Sequence, residues 1–407
     1  MLKQNRNALT NLTNRYRAVL RRCRLRALAL ACALTVLPPL PAGANSGGEE
    51  GTDEWDLPAY IGSTTGSGGH VIIDSGFEGF VYGGYTTAPG TDATGNTVRL
   101  TNGTVTKDVY GGLSKYGNAH NNTVIISGGT MRAVWGGDGA SGATHNTVII
   151  SGGTVTWDVW GGIAQYGSAN GNTAIISGGT MRAVWGGDGA SGATHNTVII
   201  SGGTMKAVCG GDGVSGATNN TVIISGGTVT GVVHGGYTAD GGATNNTVII
   251  SGGTVGDVRG GNGGNGIATG NRVILSGAPT LTGLISGGEN LSTGDVVSGN
   301  LLELRSSGLQ AVNIKNFEQY AFHMPADIRP GAVLLTLGED PYVPSAMYVT
   351  DLTNFGKSLS PVFRRIDVDG AASPLRVGDK VTLFRNDNGL TPGTLPTSVS
   401  GTQGVTL

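Results

Sequence analysis

The sequence predicts an all-β protein built as a parallel β-helix (β-solenoid) of about 8–10 rungs with a C-terminal β-rich capping module. The first observation is a motif close to N-T-V-I-I-S-G-G-T that recurs between residues 69 and 300. The second is its spacing: the leading Asn recurs every 24 to 26 residues, at Asn96, Asn122, Asn146, Asn172, Asn196, Asn220, Asn246 and Asn271. A period near 25 residues, with two or three short strands per repeat, is typical of a solenoid.

Alternation along the strands assigns a face to each column of the repeat, because successive side chains point to opposite sides. In the first extended run, Val124 and Ile126 are predicted to face inward and Ile125 outward. The second run ends in Gly-Gly, and the residue two places before that pair is always Val, which predicts a buried column. The residue directly before Gly-Gly varies, which predicts an exposed column: Tyr82, Tyr110, Trp135, Trp160, Trp185, Cys209, His234 and Arg259.

The Asn column is predicted to be structural, because stacked Asn side chains at a turn can bond along the rod. Residues 127–154 are identical to residues 177–204, an offset of 50 residues that indicates duplication of a two-rung unit. A single rung buries too few apolar side chains to offset the conformational entropy of ordering about 25 residues. The repeat is therefore expected to fold only as a stack.

Residues 1–44 are predicted to be a signal peptide. A basic stretch without acids precedes an apolar run at 27–37 and a small-residue site at 42–44, which is the order of a secretory signal. A mitochondrial-type presequence is the alternative. Without residues 1–44 the chain has 17 Lys and Arg against 27 Asp and Glu, a net charge near −10. That charge argues against nucleic acid as a partner. Cys209 alone then remains, so no intrachain disulfide is expected.

The remaining chain divides by composition. Residues 45–68 are predicted to be a linker or N-terminal cap, and residues 69–308 the β-helix repeat domain. Residues 309–385 are richer in aromatics and are expected to close the open end of the rod, since an uncovered edge templates further pairing. Residues 386–407 are predicted to be a flexible tail.

The basic leader, the rungs, and the segments 312–320 and 377–381 together resemble passenger regions of bacterial autotransporters (type V secretion), close to the adhesin-like ones. The resemblance implies a surface-displayed β-helix, often adhesive, without a cofactor. The chain departs from that family in lacking a recognisable C-terminal membrane barrel. We therefore expect a separate or missing outer-membrane translocator, with the rod at the cell surface, outer membrane or extracellular space, or in the periplasm if no translocator is available.

Five aromatic residues of the variable column are the candidate binding residues: Tyr82, Tyr110, Trp135, Trp160 and Trp185. Rings about 5 Å apart in successive rungs can stack sugars or form an adhesive stripe, with host or bacterial surface glycans or proteins as partners. The simpler interpretation is that the rings stack on one another and shield the rung edges.

No catalytic residue, metal ligand or cofactor is predicted. Asp138 and its copies lie in Gly-rich loops, but calcium requires six to eight oxygens and each loop offers one Asp. His145 and His195 occupy a position that is Asn in other repeats, which indicates a loop residue. The sequence thus favours a non-enzymatic exported surface rod with an adhesive or interaction role. The alternatives are a β-helix carbohydrate-active enzyme, whose unique site the copied loops leave little room for, and a truncated autotransporter remnant.

Overall fold

A computed structural model describes residues 47–52, 57–338, 349–352, 361–368, 374–394 and 399. The predicted signal peptide lies outside these residues, as does most of the segment after 394. The described residues form strands and turns without a helix, and the strands stack as a β-solenoid of about ten turns. The predicted fold class is therefore confirmed.

Three parallel sheets form the walls of the solenoid. The Ile sheet contains the T-V-I-I strands and has twelve members among the described residues. Its strands are His70–Ile73, Thr97–Leu100, Thr123–Ile126, Thr147–Ile150, Thr173–Ile176, Thr197–Ile200, Thr221–Ile224, Thr247–Ile250, Arg272–Leu275, Leu301–Leu304, Gln319–Met324 and Val362–Val368.

The Trp sheet carries the variable aromatic column. Its strands are Glu49–Thr52, Pro58–Ile61, Phe80–Thr86, Val109–Ser114, Thr130–Met131, Val134–Trp135, Asp138–Gly139, Thr154–Trp160, Ile163–Ala164, Thr180–Trp185, Asp188–Gly189, Thr204–Cys209, Asp212–Gly213, Thr228–His234, Thr254–Asn262, Thr280–Leu281, Leu284–Glu289 and Asn313–Lys315.

The Ala sheet is the shortest wall and carries a fully buried Ala in every strand. Its strands are Ala93–Thr94, Asn118–His120, Gly142–Thr144, Ser168–Asn170, Gly192–Thr194, Gly216–Thr218 and Gly242–Thr244.

The core is a set of apolar columns that run along the rod. Val124 and Ile126 are fully buried and Ile125 is half-buried on the outer face, as predicted. The predicted Val column of the second run has no solvent exposure in any copy: Val81, Val109, Val134, Val159, Val184, Val208, Val233 and Val258. Each rung continues the columns of the last, so the apolar interior is uninterrupted.

The Asn column forms a buried ladder of side-chain hydrogen bonds, as the sequence predicted. Asn146 Nδ2 donates to Asn172 Oδ1 (3.0 Å), and Asn172 Nδ2 donates to Asn196 Oδ1 (3.1 Å). The same Oδ1 of Asn172 also accepts from the Asn146 backbone N–H, while Asn172 Nδ2 donates to the Ala143 carbonyl. One side chain thereby satisfies two backbone groups of the preceding rung.

The Gly-Gly pair that ends the second run is required by this ladder. A Cβ on Gly161 would lie 2.3 Å from the Gly186 carbonyl oxygen, and a Cβ on Gly162 would lie 2.5 Å from Asn172 Oδ1. These glycines therefore permit close approach, between rungs at Gly161 and to the Asn side chain of its own rung at Gly162. The Gly-Gly after the Ile strands is a turn, since Gly153 has φ +87°.

The ends of the solenoid differ. Residues predicted as a linker or cap form a hairpin-like edge: Glu49–Thr52 pairs antiparallel with Pro58–Ile61, which pairs in parallel with Phe80–Thr86. The arrangement is that of a cap.

At the other end, the strand pairing of the Ile sheet crosses residue 308 without a break. Tyr320 and Phe322 are buried and both stack on Phe363, with ring centroids 5.6 and 5.8 Å apart, and both meet Phe384 edge-on. The aromatic module thus extends the apolar core and also covers its end.

Two small parallel sheets complete this end. One contains Leu309–Ala311, Val333–Leu337 and Thr382–Asn386, and the other pairs Thr350–Asp351 with Leu390–Thr391. Asn386, Leu390 and Thr391, which the sequence analysis placed in a flexible tail, pair with neighbouring strands.

Candidate functional site

The five predicted aromatic residues lie in register in consecutive rungs of the Trp sheet. Ring centroids are 5.1 Å apart for Tyr82 and Tyr110, 5.3 Å for Tyr110 and Trp135, and 4.4 Å for Trp135 and Trp160, each pair stacked. Trp185 pairs with Trp160 along the backbone. We call this column the aromatic ladder.

The prediction that this column is exposed is wrong for several members. Tyr82 is 2% exposed and Tyr110 is 8% exposed, and the tryptophans are half-buried. Two residues further along the column, Cys209 and His234, are also buried. Each side chain points outward but is covered by the rungs above and below it. Variation in this column therefore shows that several residue types can pack against those neighbours, and it does not show that the column is exposed.

Stacking occupies the ring faces within the ladder. A sugar that stacks on an aromatic side chain needs a free face, and each ring from Tyr82 to Trp160 lies against another ring. Burial, followed by the nearby carboxylates of Asp108 and Asp138, raises the pKa of Tyr110 well above its usual value. These observations support the structural interpretation for the stacked part of the ladder.

The exposed tryptophan of this sheet is one that the sequence reasoning missed. Trp157 is 52% exposed and lies at a β-bulge, where the register between neighbouring rungs shifts between Val155 and Asp158. The signal was present in the sequence, since T-V-T-W-D-V-W has one residue more than T-M-R-A-V-W. An inserted residue at a bulge turns its side chain out of the regular pattern.

Two arginines flank Trp157. The Arg182 guanidinium lies over its ring at 4.7 Å, and that of Arg132 at 6.0 Å. Each arginine is held by a buried carboxylate of the preceding rung: Arg182 Nε and an Nη atom donate to the two oxygens of Asp158 at 2.7 and 2.6 Å. Arg132 binds Asp108 in the same way. The hydrogen bonding that Arg182 donates to Asp158 raises the pKa of the guanidinium.

Lys206 takes the arginine position in the next rung but has no matching acid. At the position that Asp108 and Asp158 occupy in earlier rungs, the rung before Lys206 has Ala183. Lys206 is exposed and makes no ion pair with any described residue. Its ammonium is therefore available to a ligand.

A shallow groove begins beside these cations. Its first part, of about 270 Å³, is lined by Asp158, Arg182, Ala183, Trp185, Lys206, Ala207, Gly231 and Val232. Its second part, of about 330 Å³, shares Gly231 and Val232 and is lined further by Thr230, Gly256, Asp257, Thr282 and Gly283. We call the two parts together the Trp185 groove. Of the predicted site residues, Trp185 alone lines it.

The glycines of the groove are imposed by close backbone contacts. A Cβ on Gly231 would lie 2.6 Å from the Lys206 carbonyl oxygen, and one on Gly256 would lie 2.1 Å from that of Gly231. Glycine thus keeps side chains off the floor at three successive rungs, those of Gly231, Gly256 and Gly283, which span two rung spacings or roughly 10 Å. The outcome is a trough parallel to the rod axis.

The Asp loops contribute Asp138, Asp188 and Asp212 to one column of the Trp sheet, in which Ile163 separates the first two. Asp138 is flanked in the neighbouring rungs by Leu113 and Ile163, and burial raises its pKa to about 6. Asp188 and Asp212 lie in register, and burial together with the Asp188 charge raises the pKa of Asp212 to about 7. Within the described part of the chain, no group of three or more His, Cys, Asp or Glu is arranged to hold a metal ion.

Cys209 and His234 are neighbours in adjacent rungs, but neither is activated. Burial raises the pKa of the Cys209 thiol well above its usual value, and its Sγ donates to the Gly211 carbonyl (3.2 Å). Burial and the Arg259 charge lower the pKa of His234 to about 3. A buried thiol beside a neutral imidazole does not generate a thiolate nucleophile.

His145 and His195 adopt left-handed backbone conformations, each with φ +56°. The same corner holds Asn121, Asn219 and Asn245 with φ near +57°. The predicted loop role is therefore confirmed, and its cause is a turn that requires positive φ.

No family model, curated protein or solved structure matches this chain. The fold is shown by the structure itself as a β-solenoid. Among the described residues, no helix has the length and apolar character needed to cross a membrane.

Proposed function

We propose that this protein is an exported, non-enzymatic rod of the autotransporter-passenger type that acts by adhesive or other binding interactions. The observation that carries the proposal is the Trp185 groove on an uninterrupted solenoid whose loops repeat from rung to rung. A rigid rod presents such a groove along its length. The repetition leaves few irregular loops on which a unique catalytic constellation would be built.

The place of action is part of the proposal. The basic leader and apolar run support export, and the resemblance to passenger regions supports display at the cell surface by a separate translocator barrel, or periplasmic residence without one. Protease treatment of intact cells that express the full chain tests this. Cleavage only after the outer membrane is opened would contradict surface display, and retention in the cytoplasm would contradict export.

Binding is tested with the purified exported rod on an array of glycans and on surface proteins. Trp185→Ala is expected to lower binding of a ligand held by the groove. Tyr166→Ala is the matched control, because Tyr166 is 77% exposed outside the groove. No bound ligand in either format, or a ligand whose binding is insensitive to Trp185→Ala, would contradict a binding role for the groove.

A carbohydrate-active enzyme is the second candidate, favoured by one observation. Asp188 and Asp212 lie in register in adjacent rungs and the pKa of each carboxyl is raised, as a general acid requires. Neither residue lines the Trp185 groove. Release of reducing ends from a polysaccharide, lost in Asp212→Asn, would favour this candidate over the binding rod.

A further inference from the structure

We propose that the Trp185 groove binds an extended acidic oligosaccharide along the rod axis, with Lys206 contacting a carboxylate of the sugar chain. The inference rests on the proposed binding function and names its ligand class. Three features of the groove support it: its length, its aromatic wall and its unbalanced charge.

The length and shape of the groove suit a chain molecule. The trough runs from Asp158 to Gly283 across about five rung spacings, roughly 24 Å. Over its second half, the floor is fixed by close contacts at Gly231, Gly256 and Gly283, so that half does not depend on side chains moving aside. A preformed trough lowers the entropic cost of binding an extended ligand.

The wall of the groove suits a sugar ring. Trp185 is the rung neighbour of Trp160 on one side and of the much smaller Cys209 on the other. No aromatic ring follows it in the next rung, so the side of Trp185 toward Cys209 is not covered by stacking as the earlier rings are. An aromatic surface beside polar groups binds the apolar face of a sugar.

The charge of the groove favours an anion at one position. Asp158 neutralises Arg182 through two hydrogen bonds, whereas Ala183 leaves Lys206 without an acid in the preceding rung. The first half of the groove therefore carries one unbalanced positive charge, on a rod whose exported residues are net negative. A uronic acid unit supplies both the carboxylate for Lys206 and the ring face for Trp185.

The second half of the groove has polar groups of a different kind. Thr230 and Thr282 are exposed, and the Asp257 carboxylate is 43% exposed while it accepts a hydrogen bond from the Leu284 backbone N–H. Hydroxyl and carboxylate groups bind sugar hydroxyls, and the Asp257 carboxylate, 3.9 Å from an Nη atom of Arg259, leaves no unpaired positive charge there for a second anion. We therefore place the acidic unit at the Lys206 end and hydroxyl contacts at the Asp257 end.

The test is calorimetry on the exported rod with an oligogalacturonate and with the same oligomer after reduction of its carboxyl groups. The wild-type rod is expected to bind the acidic oligomer about tenfold more tightly than the neutral one. Lys206→Gln is expected to remove that preference by lowering the affinity for the acidic oligomer about tenfold. Ala207→Trp, which fills the trough, is expected to abolish binding of both.

Lys107→Gln is the matched control, since Lys107 is an exposed lysine on the same sheet, four rungs away and outside the groove. Equal affinity of the wild-type rod for both oligomers, equal losses in the two lysine variants, or equal binding of an acidic peptide would overturn the inference. Failure to bind either oligomer also overturns it, while a Trp185-dependent ligand on the array would leave the proposed binding function standing.

Discussion

At the scale of single residues, the Asn ladder explains why one polar residue recurs in the interior of the repeat. Asn172 has no solvent exposure and uses both ends of its amide, accepting from Asn146 and donating to Ala143 and Asn196. An uncharged amide has a carbonyl acceptor and two N–H donors, whereas a hydroxyl has one donor. A carboxylate at this place would bury a charge and lose the donors.

We predict that Asn172→Ala lowers the free energy of unfolding by about 3 kcal/mol, because it leaves buried donors of Asn146 and the carbonyl of Ala143 without partners. Chemical denaturation measures the change. Asn170→Ala is the control, since Asn170 is exposed in the same rung. Equal effects of the two substitutions would contradict a structural role for the ladder.

The raised pKa of Asp212 makes stability depend on pH. The carboxyl faces Asp188 in the rung before and Tyr237 in the rung after, with Cys209 in its own rung, and its pKa is about 7 against about 3.8 unfolded. Between these values the folded chain holds a proton that the unfolded chain has released. This group therefore lowers stability as pH rises from about 4 to about 7.

We accordingly predict that Asp212→Asn raises the melting temperature at pH 8 and changes it little at pH 4. Circular dichroism at several pH values measures the difference between variant and wild type. Asp240→Asn, at an exposed carboxyl, serves as the control and is expected to leave the pH profile unchanged. A gain that is the same at pH 4 and pH 8 would show that charge burial is not its cause.

At the scale of elements, the aromatic ladder is a second apolar layer on the outside of the Trp sheet. Tyr82, Tyr85 and Tyr110 are buried against one another, and Trp135 packs beside them. The ladder therefore stabilises rung-to-rung contacts that the interior core does not reach. Its members need only match their immediate neighbours, which allows Tyr, Trp, Cys and His in one column.

We predict that Trp135→Ala lowers the free energy of unfolding by roughly 2 kcal/mol, since it removes stacking on both Tyr110 and Trp160. Tyr166→Ala removes an exposed ring and is expected to have no comparable effect. Denaturant titration of the two variants measures the free energy of unfolding of each. Unchanged stability in Trp135→Ala would mean that the ladder does not support the fold.

The sequence predicted the interior columns well and the outer surface less well, for a physical reason. Inside the rod, the space available to Val81 and its equivalents is the same in every rung, so the same residue recurs. The burial of this column can therefore be predicted from the repeat. Outside, a side chain packs only against the rungs next to it, so variation and burial occur together, as for Tyr82. Trp157 was missed because a bulge changes which face an inserted residue takes.

The groove was beyond sequence reasoning for a related reason. Lys206 shares its positive charge with Arg132 and Arg182, and it differs from them in what the preceding rung offers, which is Ala183 in place of an Asp. This difference can be recognised only when it is known which residues of adjacent rungs are paired. The glycines were visible in the sequence, but their alignment into a trough depends on which carbonyl each one approaches.

At the scale of the whole molecule, the rod is a series of nearly equivalent rungs whose stability is the sum of rung and interface contributions. The identity of residues 127–154 and 177–204 provides a test, because deletion of residues 127–176 joins Ile126 to Ser177 in the sequence context that Ser127 normally has. The rungs on either side of the deletion are expected to pair directly, so that each column continues in register. Asn122 would then bond Asn196 in the buried ladder.

We predict that this deletion yields a folded rod shorter by two rungs, roughly 10 Å. The ladder would continue from Tyr110 to Trp185, and Arg182 would bind Asp108 as Arg132 does in the intact chain, because Arg132 and Arg182 hold the same repeat position. Small-angle X-ray scattering measures the length, and circular dichroism measures strand content per residue.

Deletion of residues 127–164 is the control. It removes a part of the chain that is not a whole number of repeats: the Trp-sheet strands of two rungs but the Ile-sheet strand of one rung, Thr147–Ile150. The columns of the two sheets are therefore left out of register. Because each rung is held only through register-matched neighbours, this variant is expected to aggregate or to lose its sheet content. A rod that shortens normally under the control deletion, or that unfolds under removal of the two-rung unit, would contradict additive stacking.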